Sequence, residues 1–244
     1  MTEFESKVVK FIETLQEFKL TENTFNMWAD YDKSIDIEKA GEKRRNNLKE
    51  YLIDREEAKV ILIGEAPGYK GCRFSGIPFM DEQILVNEIP NGKITSTEYD
   101  EKAQKETSSQ TVWNTCFLKN NPKSWVAWNA FPIHPHKKEN KNTNRTPKAK
   151  ELDNSAYILV KFLELFPDAK IIPVGCQSKA IFDRLIKKKN IQNLPNISEQ
   201  ESKIIKKLNV RVLDKVYHPS PIVQNRLPDE KKFANEILKI IEKF

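Results

Sequence analysis

Four short apolar runs, separated by segments of helical periodicity, constrain the fold of this chain more than any other feature. They lie at residues 58–63, 125–128, 169–174 and 210–216. Runs of this length and composition are typical of strands that are buried on both faces of a parallel sheet. Because these strands alternate with helical patterns, we predict an α/β fold, a three-layer α/β/α sandwich with a central parallel sheet of about four strands.

The helical patterns between the runs complete this prediction. The clearest covers residues 147–166, with Thr146 as a candidate N-cap and Pro167 at its end. Further helices are predicted from 177 to about 189 and from Pro228 onwards, and two more in the N-terminal part of the chain.

Neither an internal repeat nor a linker long enough to divide the chain is visible in the sequence. We therefore predict a single domain over residues 1–244, in which residues 1–55 form a helical extension packed on the rest. The polar segment 87–109 is predicted to be a loop or a lid over the site.

The charge of the chain suits a polyanionic partner without identifying one. Lys and Arg number 41 against 35 Asp and Glu, a formal net charge of +6. Basic residues cluster at 137–150 and at 184–189. The N-terminal segment lacks the apolar stretch of a secretion signal, and no apolar run is long enough to cross a membrane, so we expect a cytoplasmic protein that does not bind membranes.

The cysteines argue against a metal centre. Cys72, Cys116 and Cys176 are an odd and widely spaced set, which is typical of a reducing compartment. Three thiolates are too few for a four-thiolate iron–sulfur cluster. We expect neither a metal nor any other cofactor.

Turn-forming segments with polar side chains follow the predicted strands. They are Gly64–Tyr69, Asn129–Pro132, Gly175 and His218–Pro221. In an open parallel sheet, ligands bind beyond the carboxyl ends of the strands, so these segments are expected to form the site. The glycines of the first segment do not have the spacing of a phosphate-binding loop or a dinucleotide fingerprint.

Four segments, taken in order, resemble the uracil-DNA glycosylase superfamily over about residues 60–226. GEAPG at 64–68 looks like the first motif of the branch whose members often carry an iron–sulfur cluster, and GIPF at 76–79 resembles a segment that follows it. WNAFP at 128–132, followed by NRTP at 144–147, resembles the segment with the base-reading asparagine. HPSP at 218–221 resembles the second motif.

The resemblance implies roles for three side chains. His218 would donate a hydrogen bond to uracil O2, where negative charge accumulates as the glycosidic bond breaks. The Asn129 amide would donate to O4 and accept from N3–H, and Phe79 would stack on the ring of the flipped base.

The first motif departs from the resemblance at two positions. Another branch has a water-positioning aspartate where this chain has Ala66, so that role does not transfer. Glu65 could orient the water, or it could bond to the backbone of the turn, with Ala66 and Pro67 bordering the same water. Gly68 stands where one branch has a tyrosine that blocks the thymine methyl group, so thymine exclusion would fall to Tyr69 or be loose.

The remaining residues implied by the resemblance are DNA contacts. Ser220 and Pro221 would press on phosphates, and Ile222 stands where a relative has a wedge that fills the vacated base stack, although it could instead pack under the loop. Arg226 and Arg145 are predicted to contact DNA.

The sequence thus predicts a monofunctional uracil-DNA glycosylase of base excision repair, a hydrolase that uses water and leaves an abasic site. Its partner would be single- or double-stranded uracil-containing DNA, and a monomer is expected. Two alternatives stay open: a glycosylase for another deaminated base such as hypoxanthine or xanthine, and a module that binds uracil in DNA without cutting it.

Overall fold

The computed structural model describes residues 1–19, 22–88, 104–117, 122–187 and 198–241. The five strands are β1 (Thr24–Phe25), β2 (Val60–Gly64), β3 (Trp125–Asn129), β4 (His134–Pro135) and β5 (Lys170–Pro173). Strands β3, β2 and β5 form a parallel sheet in that order, with β2 in the centre, and β1 pairs with β4 in an antiparallel ribbon. Helices flank the parallel sheet, so the predicted α/β fold class is confirmed.

Eleven α-helices are described in this part of the chain. They are α1 (Glu3–Glu17), α2 (Ala40–Ile53), α3 (Cys72–Ser75), α4 (Glu82–Glu88), α5 (Thr107–Val112), α6 (Ala149–Leu165), α7 (Cys176–Lys187), α8 (Glu199–Lys206), α9 (Leu208–Arg211), α10 (Pro221–Gln224) and α11 (Phe233–Ile241). A π-helix spans Trp113–Phe117, and 3₁₀ turns lie at Pro122–Ser124 and Asp229–Lys231. Most of the segment predicted to be a loop or lid, residues 89–103, lies outside the described residues, and its end begins α5.

The predicted fourth strand is the main difference from expectation. Residues 208–211 form helix α9, and only two isolated parallel bridges, Ile171 to Val212 and Val174 to Val216, continue the sheet beyond β5. The reason lies in Arg211, whose buried guanidinium donates to the carbonyl oxygens of Phe166 at 2.7 Å and Ala169 at 3.0 Å. Reaching both carbonyls draws this stretch into a helical turn.

Helix α6 begins two residues later than predicted. Its N-cap position is Lys148 and not Thr146, and the Lys148 N–H donates to the Glu151 carboxylate at 2.6 Å. Thr146 instead interacts with the carboxylate of Glu65. A residue that looks like a helix cap in the sequence therefore belongs to the surroundings of the site.

The packing beneath β3 fixes the end of that strand. Trp128 is fully buried; its ring stacks on Phe162 of α6, with centroids 4.8 Å apart, and on Trp28 at 5.6 Å. Phe11 of α1 meets the same ring edge-on at 5.1 Å. Aromatic contacts of this kind contribute beyond their buried area, so Asn129 follows an immobile residue. Within the described residues, no helix is long and apolar enough to cross a membrane.

Candidate active site

A cavity of about 380 Å³ opens at the carboxyl ends of β2 and β3. Eight separate segments of the described chain line it: Gly64–Gly68, Cys72, Phe79, Glu106 with Ser108, Asn129, Pro135, Asn144–Thr146, and His218 with Ser220. The fold thus brings together residues from three of the four segments that follow predicted strands, although more than 150 residues separate the first from the last. This is the arrangement expected at the carboxyl edge of a parallel sheet.

Asn129 lines the cavity, and its amide has no hydrogen-bond partner among the described residues. Its side chain is 5% exposed. Gly64 is its register partner across β2 and β3, and a Cβ on Gly64 would come within 2.5 Å of Asn129 Oδ1. A buried amide is normally hydrogen-bonded, so this one is arranged to pair with a bound molecule.

Phe79 forms the adjoining wall and has an unusual backbone conformation. Its φ is +54°, in the left-handed region that non-glycine residues rarely adopt. The ring tip reaches the same glycine, because a Cβ on Gly64 would come within 2.8 Å of Phe79 Cζ. Such strain costs on the order of 1–3 kcal/mol and is concentrated at functional sites. The aromatic face predicted to stack on a base is therefore held beside the Asn129 amide.

The tautomer of His218 follows from its hydrogen bonds. The backbone N–H of Ser220 points at His218 Nδ1 at 3.1 Å, and since an amide only donates, Nδ1 must be the unprotonated acceptor. The ring proton is then on Nε2. Burial lowers the pKa of His218, which favours this neutral form. His218 thus offers one N–H donor to the cavity that it lines.

The loop that holds His218 is braced from the C-terminal helix. Gln224 Nε2 donates to the carbonyl oxygen of His218 at 2.8 Å, and Gln224 Oε1 accepts from the N–H of Phe233 at 2.9 Å. Phe233 is the first residue of α11 and is fully buried. One glutamine side chain therefore ties the histidine to an anchored helix.

Glu65 lies between two cavities. It lines the main cavity and a second one of about 390 Å³, and His218 and Ser220 also border both. Burial raises the pKa of Glu65, and its interaction with Thr146 opposes that shift. The carboxylate thus interacts with Thr146 and borders the cavities. The backbone oxygen of Glu65 accepts from Phe131 N–H at 2.9 Å.

The turn that carries Glu65 is fixed by bonds from other segments. His134 lies between the carbonyl oxygens of Pro67, 2.8 Å from Nδ1, and Lys141, 2.9 Å from Nε2. Burial lowers the pKa of His134 to about 4. Asn144 Oδ1 accepts from Tyr69 N–H at 2.9 Å. These contacts shape the turn before any ligand is present.

Comparison with known protein families gives a match over most of the chain. The family model described as "Uracil DNA glycosylase superfamily" matches residues 51–242, which is most of the chain and includes every residue of the cavity described above. The chain belongs to the uracil-DNA glycosylase superfamily. The members of this superfamily are DNA glycosylases, so the protein is a DNA glycosylase of base excision repair that acts on damaged bases.

The fold agrees with a solved structure. The crystal structure of wild-type Pedobacter heparinus SMUG2 superposes with a TM-score of 0.58 at 18% sequence identity, over 100% of this chain and 98% of that chain. At this identity the likeness concerns the fold alone. Among curated proteins the search found no match.

Some residues singled out by the family resemblance lie away from the cavity. Tyr69 does not line it, and the role predicted for Tyr69 stays a prediction. Ile222 and Arg226 are exposed on and just after α10, and Ile222 has 70% of its surface accessible. The alternative in which Ile222 packs under the loop does not match this exposure. Pro221 begins the same short helix and is also exposed.

Arg145 reaches the cavity wall, but protein groups already engage its guanidinium. Both Glu151 carboxylate oxygens accept from it at 2.7 Å, and the carbonyl oxygens of His136 and Asn23 accept at 2.9 Å and 3.1 Å. The DNA contact predicted for Arg145 stays a prediction. The observed role of the side chain is to hold the loop before α6.

The candidate site includes one carboxylate that the sequence did not predict. Glu106 lines the cavity from the segment just before α5, and Ser109 Oγ donates to its Oε2 at 2.7 Å. Burial, together with the nearby charge of Asp81, raises the pKa of Glu106. The signal in the sequence was the pair Gly68 and Gly71, since a Cβ on either would overlap the Glu106 carboxylate. Spacing alone does not reveal which residue fills that space.

The cysteines do not fit the iron–sulfur cluster of the branch that the first motif resembles. Cys72 and Cys116 are buried and Cys176 is exposed at the start of α7. Burial raises the pKa of the Cys72 and Cys116 thiols, which disfavours the thiolates that ligate iron. Within the described residues, no group of three potential ligands is close enough to share a metal ion.

Proposed function

We propose that this glycosylase hydrolyses the N-glycosidic bond of uracil that has been flipped out of DNA, leaving an abasic site. The observation that carries the proposal is the Asn129 amide, which is buried beside the cavity without a partner among the described residues. An amide presents one donor and one acceptor side by side, which complement O4 and N3–H of uracil. Cytosine presents the reverse pattern, so it would be rejected only with the amide oriented so that Nδ2 faces O4.

The other side chains supply stacking and charge stabilisation. Phe79 lies beside the amide and would stack on the base, a contact worth about 1–3 kcal/mol. As the C1′–N1 bond breaks, its electron pair moves to the base, and the Nε2–H of His218 would stabilise the charge on O2. A preorganised donor in such a position contributes on the order of 10²–10³ in rate.

Water is the proposed nucleophile. It would add to C1′ of the sugar and lose a proton, and Glu65 is the carboxylate placed to receive that proton, because it shares the His218 end of the cavity. No lysine is present among the described residues that line the cavity, which supports a monofunctional reaction without an amine nucleophile. The proposed reaction uses no cofactor.

Binding to DNA would use the face around α10. Pro221, Ile222 and Arg226 are exposed there, in the loop that also carries His218 and Ser220. Ile222 is the proposed wedge, since an exposed apolar side chain can enter the stack that the flipped base has left. Exposed Lys137 and Lys138 and the net charge of +6 favour phosphate contacts.

A base-release assay tests the proposal. Duplexes with a single U:G, U:A or hypoxanthine:T pair, and single-stranded uracil DNA, are incubated with excess enzyme, and abasic sites are measured. Release of uracil is expected, and Asn129→Ala is the matched loss-of-function control. Release of hypoxanthine alone would show that hypoxanthine, which presents a similar donor and acceptor edge, is the substrate instead of uracil. Tight binding of uracil DNA without any base release would establish the non-cleaving alternative.

A further inference from the structure

We propose that Glu106 determines which pyrimidines the site admits, by closing the side of the cavity that faces C5 of the base. The inference rests on the function proposed above and extends it from uracil recognition to thymine rejection. Uracil and thymine have the same hydrogen-bonding edge, so Asn129 cannot distinguish them. They differ only by the methyl group on C5, and the wall next to that atom has to make the distinction.

The position of this wall follows from the orientation of the ring. With Asn129 at N3 and O4 and His218 at O2, the remaining C5 edge lies across the ring from C2, away from His218. The His218 end is also the end where the two cavities meet, because Glu65, His218 and Ser220 border both. The turn Gly64–Gly68 runs along the main cavity, with Gly64 against Asn129 and Phe79, Glu65 at the His218 end, and Gly68 against Glu106. Glu106 thus lies at neither the Asn129 contact nor the His218 end, and we place C5 of the base on the side formed by Gly68 and Glu106.

Within this wall, Glu106 occupies the volume that a side chain at position 68 would otherwise fill. A Cβ on Gly68 would overlap Glu106 Oε1, and a Cβ on Gly71 would overlap Oε2. The turn has glycine at both positions, so the carboxylate can lie directly against its backbone. Gly68 itself has no side chain with which to exclude a substituent.

One oxygen of the carboxylate and the backbone of Glu106 are both hydrogen-bonded. Ser109 donates to Oε2 at 2.7 Å, and the backbone N–H of Glu106 donates to Asp81 Oδ2 at 2.8 Å. Asp81 is fully buried and also accepts from Ile84 N–H and from the Gln110 amide. A wall built in this way keeps its shape when a base enters.

The chemistry of the wall disfavours a methyl group more than its volume alone would. No described residue donates to Glu106 Oε1, so this oxygen depends on solvent in the cavity. A methyl group packed against it would remove that solvent without providing a hydrogen bond, whereas a hydrogen atom on C5 leaves the space open.

The test is the ratio of thymine release to uracil release. Single-turnover rates are measured on duplexes that differ only in a T:G or U:G pair, for the wild type, Glu106→Ala and Glu106→Gln. One methyl group in a fitted pocket is worth roughly 10–200-fold, so Glu106→Ala should raise the ratio at least about tenfold. Glu106→Gln keeps the volume and should keep a ratio close to that of the wild type. Lys105→Ala, an exposed neighbour, is the control for nonspecific effects.

The possible outcomes separate this inference from the proposed function. If Glu106→Ala releases uracil but leaves the ratio unchanged, Glu106 is not the specificity wall. If the wild type releases thymine as fast as uracil, the wall does not exclude methyl groups, and this result does not depend on how well any variant folds. If the wild type releases no base from any uracil substrate, the proposed function fails and the inference fails with it.

Discussion

The two halves of the active site are held by different kinds of structure. Asn129 ends a strand that is paired through its whole length with β2 and is packed on the stacked ring of Trp128. His218 follows a segment that joins the sheet through two isolated bridges, and the Gln224 side chain braces its loop. In the proposed function, base reading by Asn129 would thus depend on the sheet, while the His218 donor would depend on a few side-chain hydrogen bonds. The difference suggests that recognition and catalysis can be damaged separately.

The largest effect is expected at the sheet-held half. Asn129→Ala removes the pairing edge, and sites that depend on such pairing discriminate by as much as about 10⁴–10⁵, so both the affinity for uracil DNA and the single-turnover rate should collapse. Asn129→Asp should also lose uracil activity, because it presents an acceptor to O4, and should gain a trace of cytosine release. Rates near that of the wild type for Asn129→Ala would show that the amide does not read the base.

At the loop-held half, His218→Ala should slow the single-turnover rate by roughly 10²–10³ while the dissociation constant for uracil DNA changes little. The reason is that His218 meets charge that develops mainly in the transition state. Rate and affinity measured on the same duplex distinguish this from the Asn129 result. Equal loss of affinity in both variants would contradict the separation of the two halves.

A pH profile probes the tautomer at the same half. Burial lowers the pKa of His218 below its ordinary value of 6.5, so the ring is neutral at and above neutral pH and the rate should be constant there. As the pH falls through this lowered pKa, Nδ1 becomes protonated and can no longer accept the hydrogen bond from the Ser220 N–H. The rate should then fall about tenfold per pH unit. The pH profile of His218→Ala should lack this fall in rate at low pH, so that any remaining pH dependence of the rate is due to Glu65. An identical pH profile for that variant would assign the fall in rate to another group.

The smallest expected effect compares the braces of the two halves. Gln224→Ala frees the His218 carbonyl and should slow the single-turnover rate by about tenfold, since a small misplacement of a catalytic group is costly. Asn144→Ala removes one bond from the first-motif turn, but the Nδ1–H tautomer of His134 still donates to the Pro67 carbonyl oxygen, so the loss of rate should be smaller. A larger loss in Asn144→Ala than in Gln224→Ala would reverse the comparison.

Much of the fold could be predicted because the three paired strands are short, continuous apolar runs with little competing periodicity. The prediction of a strand at residues 210–216 was wrong, and the local sequence does not show why. Arg211 sits in an alternating pattern typical of a strand, yet its guanidinium bonds to carbonyl oxygens more than forty residues earlier in the chain. A long-range contact thus overrode the local pattern.

The candidate site shows the same division. Glu65, Asn129 and His218 follow apolar runs, so the carboxyl-edge rule was enough to group them before the structure was known. Glu106 follows no such run and reaches the cavity only through its contacts with Gly68 and Gly71. Thr146 matched the pattern of a helix cap, but it interacts with Glu65 instead. Residues placed by packing against another segment were the ones that the sequence did not reveal.

The bonded turn at Glu65–Tyr69 has a consequence for how the enzyme spends its time on DNA. Contacts with His134 and Asn144 fix the shape of this turn before DNA binds, so the turn would not adapt to the base that enters. In the proposed function, the choice of base would then be a competition between bond cleavage and the return of the base to the double helix. A base that fits would stay long enough to be cut, whereas a normal base would leave first. Selectivity becomes a matter of residence time in the cavity, and loosening this turn would lengthen the stay of bases that ought to be released intact.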